Sequence, residues 1–245
     1  MKMMTFALRN TKEILRDKLT LFFGLGFPII LLLMMTLMQS NLPVDIFNLD
    51  SLTPGMVVFG LSFISLFSAT VISKDRSGSL ILRLYTSPMS PTDYIFGYTL
   101  PLLPMALAQA AICYGVAVIL GLKISSGIAL ALITVIPSSL VFIALGLLCG
   151  SIFNDKQVGG ICGALLTNVS VWLSGTWFSL DLLGPVFKKI ANCLPFCHAV
   201  EAGRIALSGN FGGALIHIAW VLGYAIVLFA AAALVFTRKM HSDNI

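Results

Sequence analysis

Few side chains in this sequence have the types and spacing for chemistry. Cys193, Cys197 and His198 form a Cys-x3-Cys-His cluster, a spacing open to a disulfide or a metal ion and equally to two ordinary thiols. Cys113, Cys149 and Cys162 lie inside long apolar runs and read as small packing residues. His217 is the one side chain in those runs that titrates in the ordinary range, with no acid or base beside it in sequence. No nucleophile, base and metal-ligand pattern of the kind a membrane-embedded enzyme needs can be assembled from these residues. A nucleotide-hydrolysing Walker A loop requires Gly-Lys followed by Ser or Thr, and no Gly-Lys pair occurs. The chain is expected to be no enzyme and to carry no cofactor or metal of its own.

The elements that must position these residues are apolar. Hydrophobic residues make up 58% of the 245 positions and charged residues 10%, whereas a soluble domain carries about 25% charge. Six runs are long enough to cross a bilayer, which takes about 20 residues each: Leu19–Met38, Pro54–Ser73, Tyr94–Leu122, Ile128–Phe153, Val158–Leu180 and Ala214–Thr237. None contains Asp, Glu, Lys or Arg. Buried core helices of a soluble protein would be shorter and better covered by polar surface. The expected fold is all-α and integral to the membrane, a single transmembrane domain over residues 1–245. The charged stretch before the first run is too long for a cleaved signal, and no small-residue cleavage pattern follows Met38.

Orientation follows from the bases. With both termini cytoplasmic, eleven of the fifteen Lys and Arg residues fall inside, and only Lys123, Lys188, Lys189 and Arg204 fall outside. The net charge of +5 then reflects topology, and no nucleic-acid partner is implied. The expected location is a bacterial cell membrane, crossed several times.

Two cytoplasmic segments stand out. In residues 1–18, Met4, Ala7, Leu8, Thr11, Ile14, Leu15 and Leu19 share one helical face while Arg9, Lys12, Glu13 and Arg16 take the other, with Phe6 as the exception. This pattern fits an interfacial helix, apolar side toward lipid and bases toward anionic headgroups; an ordinary basic tail accounts for the charges equally well. Residues 74–93 read "KDRSGSLILRLYTSPMSPTD". The portion Ser79–Tyr85 is apolar almost all round, so as an exposed helix it would leave a sticky patch needing a partner. Pro88 ends it, and Pro91 with Asp93 opens the next span. A tight intracellular turn is the plainer alternative.

At these residues the sequence resembles the membrane subunit of ATP-binding-cassette transporters of the type-2 permease family. The resemblance rests on "DRSGSLILRLYTSPMSPTDYIFGY", with Ser79 where the family has threonine and Asp75 where it often has glutamate. It rests also on "LPFCHAVEAGRIALSGN" from Leu194 to Asn210, and on the order of spans and loops. It implies that residues 74–93 form a coupling helix seated on a separate cassette ATPase, with Asp75, Arg76, Ser79, Leu80, Arg83 and Leu84 at that contact. ATP and magnesium would be bound by that partner. The sequences "LSGT" and "LSGN" at Leu173 and Leu207 superficially match an ATPase signature, but they lie in or beside spans and are taken as coincidence.

The absence of charge within the spans argues against an ion-coupled carrier, which generally needs paired intramembrane Asp, Glu or His. Uncharged polar residues are present. Ser62 and Ser65 share a face of the second span, and Gly159, Gly163, Thr167, Ser170 and Ser174 form a small-residue stripe in the fifth, with Asn168 at mid-depth. Small residues at this spacing permit close helix packing. The resemblance adds that Ser62, Ser65, Thr167, Asn168, Ser170 and Ser174 line a path; Gly159 and Gly163 permit close approach of two copies, and equally serve packing within one chain. Gln109, after Pro101 and Pro104, is a secondary candidate. Residues 181–213 mix apolar and basic positions, as expected of short outer helices dipping back into the membrane.

The sequence therefore points to the permease subunit of an ATP-driven exporter in lipid, partnered by a cassette ATPase and a second permease. A homodimer is the simpler pairing, and a sister permease the alternative. A lipophilic drug, antibiotic or peptide is the first expectation for cargo, a lipid-linked glycan the second. Leu84→Asp is expected to leave membrane insertion intact and to separate ATP hydrolysis from transport. Unchanged transport and unchanged ATPase affinity in that variant would count against a coupling helix.

Overall fold

A computed structural model of the chain describes residues 2–41, 43, 47–78, 90–177 and 179–242. Among them there is no strand. We number them α1 (Lys2–Arg16), α2 (Phe22–Gln39), α3 (Leu49–Ser77), α4 (Pro91–Ile119), α5 (Ser126–Ile152), α6 (residues 155–174), α7 (Pro185–Cys193), α8 (Pro195–Leu207) and α9 (Phe211–Ser242).

The boundaries have local causes. Asn48 caps α3 by accepting the Asp50 N–H. At α4, Ser90 and Asp93 form a reciprocal capping box ahead of Pro91, which satisfies orphan N–H groups of the first turn. Asn154 and Gln157 do the same for α6. The α6 rod ends where Gly175 turns left-handed at φ 68°, a conformation glycine adopts without a Cβ penalty.

Five of these helices are long and apolar enough to cross a membrane, in the stretches Phe22–Gln39, Leu49–Ser77, Thr92–Ile119, Ser126–Ile152 and Phe211–Phe236. The run expected at Val158–Leu180 is not among them. Its place is taken by α6, which begins at Asp155, passes through a π-helical stretch at Gly159–Leu166 and stops at Ser174. The polar Thr176 and the turn at Gly175 end it earlier than hydropathy suggested. The loop expected at 74–93 is also shorter than anticipated, because Lys74–Ser77 continue α3 and Pro91–Asp93 already belong to α4.

The fold is organised around α3. In its most apolar window 89% of residues are buried, against 17% in α2 and α9, so α3 is the central pole and the other two are peripheral. Its neighbour α5 approaches at backbone distance. A Cβ on Gly146 would overlap the Ser65 carbonyl, and one on Gly150 would lie 2.6 Å from the Ala69 carbonyl. Glycine at four-residue spacing lets two helices in lipid gain dispersion contact where no hydrophobic force drives them together. Between these contacts the Ser68 hydroxyl donates to the Ile143 carbonyl at 3.2 Å. On the other flank Phe27 packs α2 to α3, edge-on to Phe63 at 5.8 Å and 5.9 Å from Phe59. The far end is closed by α8, against which Gly127 of α5 sits so closely that a Cβ would overlap the Leu207 carbonyl.

Alanine has the higher helix propensity at any interior glycine, so a clash is isolated by comparing two sites. Gly146→Ala should lower the melting temperature of the purified protein, because the α3 backbone has to move. Gly115→Ala, with open space around its Cβ, should leave it unchanged or raise it. Equal shifts at both sites would contradict the close approach.

Candidate functional site

At one end of the bundle α1, α3 and α4 meet around a buried carboxylate. Asp75, near the C-terminus of α3, is 3% exposed. Arg9 of α1 grips it in a two-pronged fork, Nη1 to Oδ2 and Nη2 to Oδ1, both at 2.7 Å. The Tyr98 hydroxyl of α4 donates to Oδ2 at 2.9 Å. A carboxylate this buried requires compensation, and a bidentate guanidinium supplies two strong, directional hydrogen bonds. Arg9 also pairs with Glu13 one turn on at 2.7 Å. Burial by itself would lower the guanidinium's proton affinity; the hydrogen bond and charge of Asp75 more than reverse this, and the pKa is raised.

The same helix face fixes α1 on α4. Asn10, fully buried, donates to the Gly97 carbonyl at 3.1 Å. Phe6 packs edge-on against Tyr98 at 4.9 Å and Tyr94 at 6.0 Å, filling the space that a side chain at Gly97 would occupy. Of the face expected to be apolar, Ala7 and Ile14 are buried against protein. Phe6, treated as the exception, is the anchor, and Arg9 turns inward to protein. Met4, Leu8 and Leu15 remain exposed. The helix has two apolar edges, and the aromatic pair on α4 selects the one carrying Phe6, Asn10 and Ile14.

Of the residues expected at an ATPase contact, Asp75 is thus engaged inside the chain. Arg76 likewise donates to the Gly150 carbonyl at 2.8 Å and the Phe153 carbonyl at 3.4 Å, closing the C-terminal end of α5, where a cation is favoured. Ser73 reaches Asp155 at the start of α6 at 3.3 Å. Ser79, Leu80, Arg83 and Leu84 lie outside the described residues.

The expected path residues separate into two groups. Ser62, Ser65, Thr167, Ser170 and Ser174 are buried within the chain, on α3 and α6. Most return their hydroxyls to their own helix, Ser62 to the Phe59 carbonyl at 2.6 Å and Thr167 to the Cys162 carbonyl at 3.0 Å. Asn168 stands on the exposed side of α6 and donates to the Ala164 carbonyl at 2.8 Å. Gly159 faces open space, while a Cβ on Gly163 would lie 3.3 Å from the Leu66 side chain. Gln109 is fully buried against Gly60, which leaves room for its amide only because it lacks a Cβ.

The opposite end of the bundle holds residues that the sequence did not bring together. His198 of α8 donates from Nε2 to the Asn192 carbonyl at 3.0 Å. Its Nδ1 therefore accepts from His217 Nδ1 of α9 at 2.8 Å. Trp220 stacks on His198 with centroids 5.2 Å apart and planes 9° from parallel. Arg204 donates to the carbonyls of Ser51 and Gly175 and to Glu201, binding α8 to α3 and to the end of α6. His198, His217, Glu201 and Arg204 line a polar cavity of about 420 Å³ together with Trp177, Asp181 and Lys188. Cys193 and Cys197 are both free thiols. Cys197 is turned inward to the Ala191 carbonyl, and burial pushes its pKa up to about 11. Among the described residues no group of three or more His, Cys, Asp or Glu side chains is arranged to hold a metal.

A family model described as ABC-2 type transporter matches residues 1–208. No curated protein matches the chain.

Arg9→Ala strands a buried carboxylate on Tyr98 alone and should cost about 2–3 kcal/mol, at the lower end for a broken pair because Arg9 is 39% exposed. Adding Asp75→Asn should restore most of that loss, since the charge needing a partner is then gone. Thermal melts of the two single variants and the double variant form the cycle, and additive losses would contradict the pairing. At pH 8, Cys193 should take up a maleimide readily and Cys197 should stay protonated and unmodified until the fold opens. Peptide mapping assigns the adducts to Cys193 and Cys197 separately, because Cys113, Cys149 and Cys162 are also free thiols.

Proposed function

The chain belongs to the ABC-2 type transporter family, and on that footing we propose that it is the permease subunit of an ATP-driven exporter. It is a multi-pass membrane protein, and membership of this family implies a partner ATPase subunit. The chain itself hydrolyses nothing in this reading and holds no cofactor; ATP and magnesium belong to the partner. Both termini and residues 74–93 face the cytoplasm, and α6 serves as a sixth crossing element.

The observation that carries the mechanism is the fastening of α3. Asp75 and Arg76 tie its C-terminus to α1, α4 and α5 within two residues of one another. The segment bearing Leu80, Arg83 and Leu84 follows directly in sequence. A displacement imposed there by closing ATPases enters α3 at a point where it cannot be absorbed by fraying. The glycine contacts with α5 then carry it along the bundle as rigid-body movement.

A second copy is supported by Asn168. An amide exposed on an apolar helix is unfavourable toward hydrocarbon, and its carbonyl oxygen is available to a facing polar group. Gly159, further along α6, is also open and would permit close approach, and a homodimer needs only one sequence. The cargo is proposed to be lipophilic or amphiphilic, in keeping with apolar runs that hold no Asp, Glu, Lys or Arg.

Purification in mild detergent with the cassette ATPase is expected to give two permeases and two ATPases, with ATPase activity responding to the permease. Transport into liposomes should require ATP. A single chain that moves cargo without nucleotide would replace this reading with a channel or ion-coupled carrier. Cysteine at position 168 should react with a polar thiol reagent at a rate that nucleotide alters; an invariant rate would remove Asn168 from the path.

A further inference from the structure

The polar cavity at the end opposite α1 adjoins an apolar groove of about 640 Å³ on α9, lined by Ile216, Ala219, Trp220, Gly223, Tyr224 and Val227. The border between them is one turn of α9. His217 lines the cavity, Trp220 lines the groove, and His198 bridges them by bonding the first and stacking on the second. The groove needs no rearrangement to exist: a Cβ on Gly223 would meet nothing within 4 Å.

Within the cavity the charged groups differ in how firmly they are held. Arg204 is spent on two carbonyls and Glu201. Lys188 has only Asp181, in a pair whose side chains are 47% and 71% exposed, and such a pair exchanges partners at little cost. The Trp177 indole N–H is buried with no acceptor among the described residues. An oxyanion that displaces Asp181, the more exposed partner, meets the Lys188 ammonium, with the unpaired Trp177 N–H enclosed in the cavity wall behind it; together these favour an oxyanion over a cation.

We propose that cavity and groove form one binding site for a membrane amphiphile, its oxyanion head at Lys188 and Trp177 and its hydrocarbon chain along α9. The site lies in the leaflet opposite α1. It takes phosphate or carboxylate heads, and it stands whether or not the chain is driven by ATP, since binding is read without nucleotide.

The full chain in nanodiscs of phosphatidylcholine provides the test, with quenching of Trp220 read as the difference from Trp220→Phe. Brominated phosphatidylglycerol should quench with saturation, at mole fractions where brominated phosphatidylcholine barely acts. The trimethylammonium of the latter masks its phosphate and brings a cation toward Lys188. Lys188→Gln and Trp177→Phe should each raise the half-saturating fraction about threefold or more, the scale of one lost exposed pair or hydrogen bond. Gly223→Leu, which fills the groove without touching the packing, should remove the saturating component. A brominated fatty acid separates the sources: saturation by it alone assigns a carboxylate head, by the phospholipid alone a phosphate head, and by both the shared oxyanion. Quenching proportional to mole fraction for every lipid, unchanged in all three variants, would show ordinary bulk lipid contact and overturn the site.

Discussion

The rest of the structure depends on a single ion pair. In a chain with so few charges, placing Asp75 out of water is costly unless it is fully compensated, and Arg9 and Tyr98 compensate it from two other helices. That requirement is geometric. A forked guanidinium bonds both carboxylate oxygens only when α1 lies at one height and one rotation against α3 and α4. Phe6 and Asn10 reinforce the same placement. What began as an amphipathic segment suited to a headgroup layer is thereby docked onto protein.

From that end the structure stiffens along α3. Packing in lipid cannot rely on expelling water, so the bundle uses close backbone approach, with Gly146 and Gly150 on α5 meeting the Ser65 and Ala69 carbonyls. Arg76 then fixes the end of α5 to the same stretch of α3 that holds Asp75. Helices joined at backbone distance slide or rotate together and do not bend independently. This is the property a membrane subunit needs if force generated outside the bilayer is to reach the opposite side.

The far end follows a different logic. Arg204 is structural, knitting α8 to the start of α3 and the end of α6 through carbonyl groups. Lys188 and Asp181 are both well exposed, and the hydrogen bond and charge of Lys188 hold the Asp181 pKa below its ordinary value. Between them His217, His198 and Trp220 form a continuous wall, polar at His217 and apolar at Trp220. The contrast between pinned and exchangeable charge is what separates support from recognition at this end.

Much of the architecture was legible in the residues. Apolar runs longer than a bilayer is thick can only be spanning helices, and caps such as Ser90 with Asp93 act over three residues, so both could be read locally. The coarse division of the chain and the position of the segment after α3 came from the same source. What could not be read was the partner of each polar group. Asp75 looked like a surface charge because Arg9 lies 66 residues away, and His217 looked solitary because His198 approaches it from a different helix. Helical periodicity marks which residues share a face but does not say which of two apolar edges meets protein, so Phe6 was taken for an exception. The extent of α6 was also misjudged, because hydropathy does not register the left-handed turn at Gly175. The sequence determined where the chain enters and leaves the apolar phase, since that is a sum over neighbouring residues. Only the tertiary structure decided which charges are spent internally and which remain free, because that depends on distances between helices remote in sequence.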